Sequence, residues 1–168
     1  LAVTPVSAAD WSQFHGPNRD NRSHEAGLLQ AWPEGGPTRI WEATGIGEGY
    51  STVAIAGGRI YTTGAVGKDC VITALDMEGK KVWTRKNGKA WGKSYPGTRS
   101  TPTIVDGVLY HLSGIGNMAC LDAGSGEEIW SVNILEEFDG RKVERAVTEM
   151  NRICPTHQDY MWDILSQT

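Results

Sequence analysis

The sequence is poor in phenylalanine and cysteine, and it lacks long apolar stretches. Phenylalanine occurs only twice and cysteine only three times among 168 residues. No stretch approaches the roughly 20 consecutive apolar residues of a membrane-spanning helix, so no membrane span is expected. Cys70 and Cys120 fall inside apolar strand patterns, which predicts two buried thiols rather than a disulfide or metal ligands. Cys154 has only His157 near it in sequence, too few ligands for zinc, and no metal site is predicted.

The chain also lacks an excess of basic residues. Its formal net charge is −4, whereas nucleic-acid binding depends on a clustered basic surface, so no nucleic-acid partner is expected. One basic stretch, residues 80–99, is an exception, because tryptophan and tyrosine residues lie between its lysines and arginines. We interpret this stretch as a solvated connecting loop, with a patch that binds a polyanion as the alternative.

Both ends of the sequence differ from its middle. Residues 1–9 are apolar and small, which is typical of the end of a secretory signal peptide, with a disordered leader as the alternative. Export to the periplasm or the extracellular space is therefore expected. Glycine is abundant, at 21 residues, but none follows Gly140. We interpret residues 140–168 as an atypical tail that arises from a reading-frame slip or a chimeric join, with a true C-terminal helix ending at Pro155 as the alternative.

The middle of the chain contains an internal repeat. Residues 52–61 align with residues 101–110, and residues 74–83 align with residues 120–130. Trp83 and Trp130 end the two units 47 positions apart, and a third copy of this ending, at Trp41, lies 42 positions before Trp83. A period of roughly 40–50 residues is typical of the blades of a β-propeller.

Each unit is predicted to form four short antiparallel strands. Residues 52–56 and 59–63 form the first hairpin, because Gly57 and Gly58 accept the positive φ of a two-residue turn. A looser connection is expected at residues 64–69, followed by strands at 70–75 and 81–85. The second unit repeats this pattern. The fold is predicted to be all-β, a partial β-propeller of about two blades.

The closing pattern of each unit resembles a known family. Ala-x-Asp-x-x-x-Gly-x-x-x-Trp, with Cys for Ala at 120–130 and one residue fewer at 74–83, resembles the tryptophan-docking repeat of pyrroloquinoline quinone (PQQ)-type propellers. The segment that begins Asp10-Trp11-Ser12 is similar to the lead-in of exported bacterial members. The resemblance implies that nine residues dock one blade on the next: Trp41, Ala74, Asp76, Gly79, Trp83, Cys120, Asp122, Gly126 and Trp130.

The repeat and the resemblance together divide the chain into five parts. Residues 1–9 are the signal-peptide remnant, and residues 10–50 are a lead-in with the last strand of a preceding or closing blade. Residues 51–100 form the first blade and its connecting loop, residues 101–139 form the second blade, and residues 140–168 form the tail. Propellers have more blades than this, so the remaining blades of a longer chain are expected as packing partners.

Two functions follow from the resemblance. No catalytic, cofactor-binding or metal-binding residue can be identified in the sequence, which favours a fragment of a non-catalytic exported propeller that binds a protein or a polysaccharide. The alternative is a fragment of a quinoprotein dehydrogenase that oxidises alcohols or sugars with PQQ and calcium. The adjacent cysteine pair found in many such alcohol dehydrogenases is absent.

Overall fold

The computed structural model describes residues 9–93 and 95–137. It contains two four-stranded antiparallel sheets, each with its strands in sequence order, which confirms the predicted all-β fold of two blades. The first sheet comprises β1 (Ala54–Ala56), β2 (Arg59–Val66), β3 (Asp69–Leu75) and β4 (Lys81–Lys89). The second comprises β5 (Thr103–Val105), β6 (Val108–Leu112), β7 (Asn117–Asp122) and β8 (Glu128–Asn133), followed by the short helix α1 (Ile134–Glu137).

The first hairpin of each sheet has the predicted two-residue turn. Gly57 and Gly58 adopt φ values of 57° and 70°, and Asp106 and Gly107 adopt 48° and 77°. Two successive positive φ values are the signature of a type I′ turn, whose twist matches that of the flanking strands. These turns fix the register of β1 on β2 and of β5 on β6.

Two details of the first blade differ from the prediction. Strand β2 continues through Gly64 to Val66 and turns at Gly67, so the looser connection expected at 64–69 is wrong. Gly64 fits a strand because residues 46 and 47 cross it so closely that a side chain there would collide with Ile46 O. A glycine within a strand often marks a site where another stretch of backbone passes this closely.

The second difference concerns the basic stretch. Strand β4 includes the predicted strand at 81–85 but continues to Lys89, so Lys86 and Lys89 lie on a strand rather than in the solvated loop expected at 80–99. This outer strand is largely exposed, which lets long charged side chains extend into solvent. Lys86 and Lys89 both pair with Asp69 on the neighbouring strand, with N–O distances of 2.6 and 2.8 Å.

The main core lies between the two sheets. It contains buried residues from both, together with the partly buried Trp83: Ala54, Ala56, Tyr61, Ile72, Ala74, Ile104, Leu109, Ala119, Leu121 and Ala123. A four-stranded sheet buries its apolar face only against another layer, so the blades stabilise each other by stacking. Cys70 and Cys120 are buried, as predicted, and within the described residues neither forms a disulfide. Burial raises the pKa of the Cys70 thiol to about 12.

The lead-in segment joins the inner edges of both blades. Trp11 and Ile55 exchange two backbone hydrogen bonds of 2.8 Å, so Trp11 extends the first sheet beyond β1. The backbone N–H of Ile104 donates to Ser12 O at 2.8 Å, which ties the next lead-in residue to β5. We call residues 10–13 the stitch, because they are hydrogen-bonded to one blade and then to the other.

Several predictions concern other parts of the chain. Of the proposed signal-peptide remnant, residues 1–8 lie outside the described residues, as do all of the tail at 140–168 and Cys154. Among the helices of the described part, none has the length and apolar character needed to cross a membrane.

Candidate functional site

Trp83 of the first blade lies against a turn of the second. Its indole N–H donates to Ala123 O at 3.1 Å. Its ring covers Gly126 so closely that a methyl group built there would lie 2.6 Å from Trp83 Cδ2. The ring also lies 6.1 Å from that of Tyr61, at an interplanar angle of 50°. The indole therefore fills the space between its own sheet and the glycine turn of the next.

The same relation occurs one unit earlier. A methyl group on Gly79 would lie 2.5 Å from Trp41 Cε3, so Trp41 covers the first blade's glycine turn, although residues 37–45 form no regular strand. Trp130 repeats the internal geometry of Trp83, since its ring lies 6.4 Å from that of Tyr110 at 53°. Trp41 and Trp83 thus share the contact with a glycine turn, and Trp83 and Trp130 share the placement beside a tyrosine of their own sheet.

Strand register explains the small residue that begins the closing pattern. Ala74 pairs with Trp83 across β3 and β4, and Cys120 pairs with Trp130 across β7 and β8. Side chains opposite each other on antiparallel strands share one face of the sheet. A small side chain at this position therefore leaves room beside the indole.

The aspartate of each pattern closes its turn. Asp76 Oδ1 accepts hydrogen bonds from the backbone N–H groups of Glu78 and Lys80, at 3.1 and 2.8 Å. Asp122 Oδ1 accepts from both the N–H and the hydroxyl of Ser125, at 2.7 and 2.9 Å. The hydrogen bonds from Ser125 lower the pKa of Asp122 below its usual value.

Removing the Asp122 carboxylate should lower the melting temperature at neutral pH. Because the pKa is lowered in the folded state, the carboxylate stabilises the fold above the unfolded pKa near 4, and this contribution is lost as pH falls through the folded value. Thermal unfolding of Asp122→Ala at pH 7 and at pH 2.5 should therefore show a difference from the wild type that shrinks in acid. Asp122→Asn, which keeps one acceptor oxygen, is the control and should lose less. A deficit that stays constant with pH would contradict this role.

The carbonyl groups of the second blade's turn receive several donors from the first blade. Ala123 O accepts hydrogen bonds from Trp83, from the Tyr61 hydroxyl at 3.1 Å and from Arg59 Nη1 at 3.4 Å. Arg59 also donates to Gly124 O. Arg85 Nε donates to Gly126 O at 2.7 Å. The carbonyls of Ala123, Gly124 and Gly126 thus accept hydrogen bonds from cationic and aromatic side chains of the neighbouring sheet, and we call these contacts the turn clasp.

The two arginines of the turn clasp could not be identified from the repeat. Arg59 aligns with Val108 and Arg85 with Val132, so neither belongs to the repeated pattern. Tyr61, by contrast, aligns with Tyr110, and this recurrence was visible in the sequence. Burial raises the pKa of the Tyr61 hydroxyl, which therefore remains a donor to Ala123 O.

A second set of polar contacts, around His111, crosses the boundary between the two blades. We call this boundary the seam. The His111 side chain is only 1% exposed, and both of its ring nitrogens have hydrogen-bond partners. Asn87 of β4 lies 2.8 Å from His111 Nδ1. Ser100 Oγ lies 2.9 Å from His111 Nε2 and also contacts Leu112 O. This serine–histidine–asparagine arrangement was not recognised in the sequence, because its members belong to three separate segments.

The proton positions in this network follow from its acceptors. Asn87 Nδ2 faces the carbonyl oxygens of His111 and Asn117, both at 3.1 Å, as well as His111 Nδ1, so the amide donates to the ring. The ring then carries its hydrogen on Nε2 and donates to Ser100 Oγ, whose own hydroxyl donates to Leu112 O. Burial lowers the pKa of His111 to about 4. A histidine that donates to a serine cannot withdraw its proton, so the arrangement stabilises the seam and does not activate a nucleophile.

A cleft of about 690 Å³ opens beside the turn clasp. The stitch borders it on one side and the hairpin turns of both blades on the other, and its lining includes Asp10, Gln13, Arg59, Tyr61, Asp106 and Gly124. Among the residues that the structure describes, no group of three or more histidine, cysteine or acidic side chains is placed to hold a metal ion.

Two four-stranded antiparallel sheets, with Trp83 of the first packed on Gly126 of the second, are two blades of a propeller built from PQQ-like repeats. A family model described as outer membrane protein assembly factor BamB matches residues 24–156. The chain therefore belongs to the BamB family, and the PQQ-like repeat predicted from the closing patterns is confirmed.

Curated relatives match part of the chain. BamB of Salmonella typhimurium is 31% identical over 86 residues, which are 49% of this chain and 21% of that protein. BamB of Yersinia pestis is 32% identical over 91 residues, or 51% of this chain and 22% of that protein. The match thus spans about a fifth of the relatives' length.

Among solved structures, BamB from Moraxella catarrhalis is 22% identical over 55% of this chain and 42% of its own, with a TM-score of 0.32. A europium-containing methanol dehydrogenase is 19% identical over 56% of this chain and 18% of its own, with a TM-score of 0.44.

Proposed function

We propose that this chain is part of an exported, non-catalytic propeller that works in the periplasm as a binding and scaffold module for protein partners in outer-membrane protein assembly. The observation that carries the proposal is the family match over residues 24–156, together with relatives that are named outer membrane protein assembly factors. Fold alone would not support it, because propellers serve many functions.

The chemistry of the seam agrees with this proposal. Three polar side chains at the blade boundary use their hydrogen-bond donors to hold the second blade. Trp83, Tyr61 and Arg59 all donate to backbone carbonyls of that blade. Ser100, whose hydroxyl lies beside the buried His111, donates to the Leu112 carbonyl as well. These groups hold the blades together, which is what a rigid scaffold requires.

We further propose that the closing patterns dock successive blades. In this role Asp76 and Asp122 shape the turns, Gly79 and Gly126 make room for an indole, and the tryptophans fill the gap. Trp130 would then cover the glycine turn of a further blade, as Trp83 covers Gly126. The contacts of Trp41 and Trp83 support this role.

An experiment on the intact gene product separates the scaffold from the quinoprotein alternative. Deleting the gene in its host should reduce outer-membrane proteins, measured by quantitative mass spectrometry of isolated outer membranes, and re-expression should restore them. Calorimetric titration of the purified protein with PQQ and calcium should give no binding heat, and dye reduction with a panel of alcohols should stay at background. Cofactor-dependent turnover, or unchanged outer-membrane proteins after deletion, would reject the proposal.

A further inference from the structure

Three segments meet at one end of the first blade. They are residues 48–50, the turn from β2 into β3, and the segment that follows β4. The backbone N–H of Tyr50 donates to Thr98 O at 2.7 Å, and that of Gly97 donates to Trp91 O at 3.0 Å. Glycines permit this close contact, since a methyl group on Gly97 would lie 2.8 Å from the Cα of Gly49. Hydrogen bonds between backbone groups therefore hold residues 48–50 against residues 97–98, and Gly97 against Trp91.

Aromatic and cationic side chains alternate along these segments. Tyr50 is 61% exposed and Tyr95 is 72% exposed. The Arg99 guanidinium lies 5.9 Å from the centre of the Tyr50 ring and donates to Tyr95 O at 2.8 Å. Lys93 Nζ lies 5.7 Å from the centre of the Trp91 ring. We call Tyr50, Trp91, Lys93, Tyr95 and Arg99 the aromatic–basic patch.

The charge around the patch is opposite in sign to that of the chain. Lys68 lies in the turn from β2 to β3, and Lys86 and Lys89 pair with Asp69 at the start of β3. Glu48 pairs with Ala65 near the end of β2. Asp69 is shared between two of these lysines, which lower its pKa to about 2. Cations therefore outnumber carboxylates here, in a chain whose formal net charge is −4.

This composition distinguishes the patch from an ordinary solvated surface. Tyrosine, tryptophan and arginine are the residues that most often dominate the energy of protein–protein interfaces, and of the residue types in the patch only lysine is depleted there. A backbone already fixed by hydrogen bonds loses little entropy when a partner binds. Exposed rings held beside cations can pack on side chains of a partner while the cations attract its carboxylates.

We infer that the aromatic–basic patch is the docking surface for an acidic segment of a protein partner. The inference rests on the proposed function, because that function requires a protein partner. It also revises the interpretation of residues 80–99. Part of that stretch is strand β4, and the remainder carries the rings and cations that would recognise a partner.

The first test uses the intact protein and a labelled peptide of twelve residues, half of them glutamate, in a fluorescence anisotropy titration. Lys93→Glu with Arg99→Glu should weaken binding about tenfold or more, and Tyr50→Ala with Tyr95→Ala about fivefold. Arg39→Glu with Lys80→Glu, at a distance from the patch, changes the net charge equally and should change binding less than about twofold. Equal losses in both charge-reversal variants, or none in the aromatic variant, would overturn the inference.

The second test identifies what contacts the patch in cells. A photo-crosslinking amino acid at position 95 should give a discrete adduct whose crosslinked peptide, identified by mass spectrometry, contains an excess of aspartate and glutamate. Lys93→Glu with Arg99→Glu should abolish it. A crosslink to glycan or nucleic acid, to a neutral or basic peptide, or no adduct at all, would refute the patch as a protein-docking surface. An acidic partner unconnected with outer-membrane assembly would support the patch and reject the proposed function.

Discussion

Gly126→Ala should destabilise the protein by about 2–4 kcal/mol more than Gly58→Ala. The two glycines adopt almost the same backbone conformation, with φ values of 72° and 70°. They differ in what surrounds them. A methyl group on Gly126 would collide with the Trp83 ring, whereas nothing lies within 4 Å of one on Gly58. The comparison therefore separates the cost of the blade contact from the cost of an alanine at positive φ, which is about 1–2 kcal/mol.

Urea unfolding monitored by circular dichroism measures this difference. Trp83→Ala should destabilise by a similar amount, because it removes the same packing and the hydrogen bond to Ala123 O. Trp83→Phe keeps much of the ring and should cost less. If the two glycine variants were equally stable, the indole would not hold the blades together, and the docking role of the closing patterns would fail.

Acid should destabilise the protein between pH 6.5 and pH 4 because of His111. Its pKa is lowered to about 4 in the folded state by burial, so the unfolded state binds the proton first as pH falls. Stability is unaffected above the unfolded pKa near 6.5 and falls progressively below it, by on the order of 3 kcal/mol at the lower end. Protonation also places an N–H on Nδ1 against the Asn87 amide, donor against donor.

Unfolding free energies at half-unit pH steps test this expectation. His111→Gln should be less stable than the wild type at pH 7 but should lose the slope between pH 6.5 and 4.5. Ser100→Ala serves as the matched variant, since it leaves the titrating ring in place and should keep the slope while lowering stability at every pH. A wild-type profile that is flat in this range would show that His111 does not couple the seam to pH.

The repeat revealed those features that depend on local sequence. The turns at Gly57 and Asp106 need positive φ, and the spacing of Trp83 and Trp130 reflects one sheet per unit, so both could be predicted from residue type and period. The basic stretch was misjudged for a physical reason. Lysines on an exposed outer strand are as well solvated as those in a loop, so their charge does not distinguish the two.

The contacts that cross the seam could not be predicted in the same way. Arg59 and Arg85 reach carbonyls of the second blade, and Asn87 reaches His111. Such pairs depend on how one sheet is placed on the next, which local patterns do not encode. They are also absent from the equivalent positions of the other unit, so self-comparison of the sequence gives no signal for them.

The stitch has a consequence for the order in which the protein folds. Ser12 is synthesised long before Ile104, yet the hydrogen bond between them closes the inner edge of the second blade. During vectorial synthesis or export, the Ser12 carbonyl lacks this partner until β5 emerges, although Trp11 can already pair with Ile55 of the first blade. Contacts this distant in sequence slow folding. The hydrogen bond between Ser12 and Ile104 should therefore be among the last contacts to form, although Ser12 is among the first of the described residues to be synthesised.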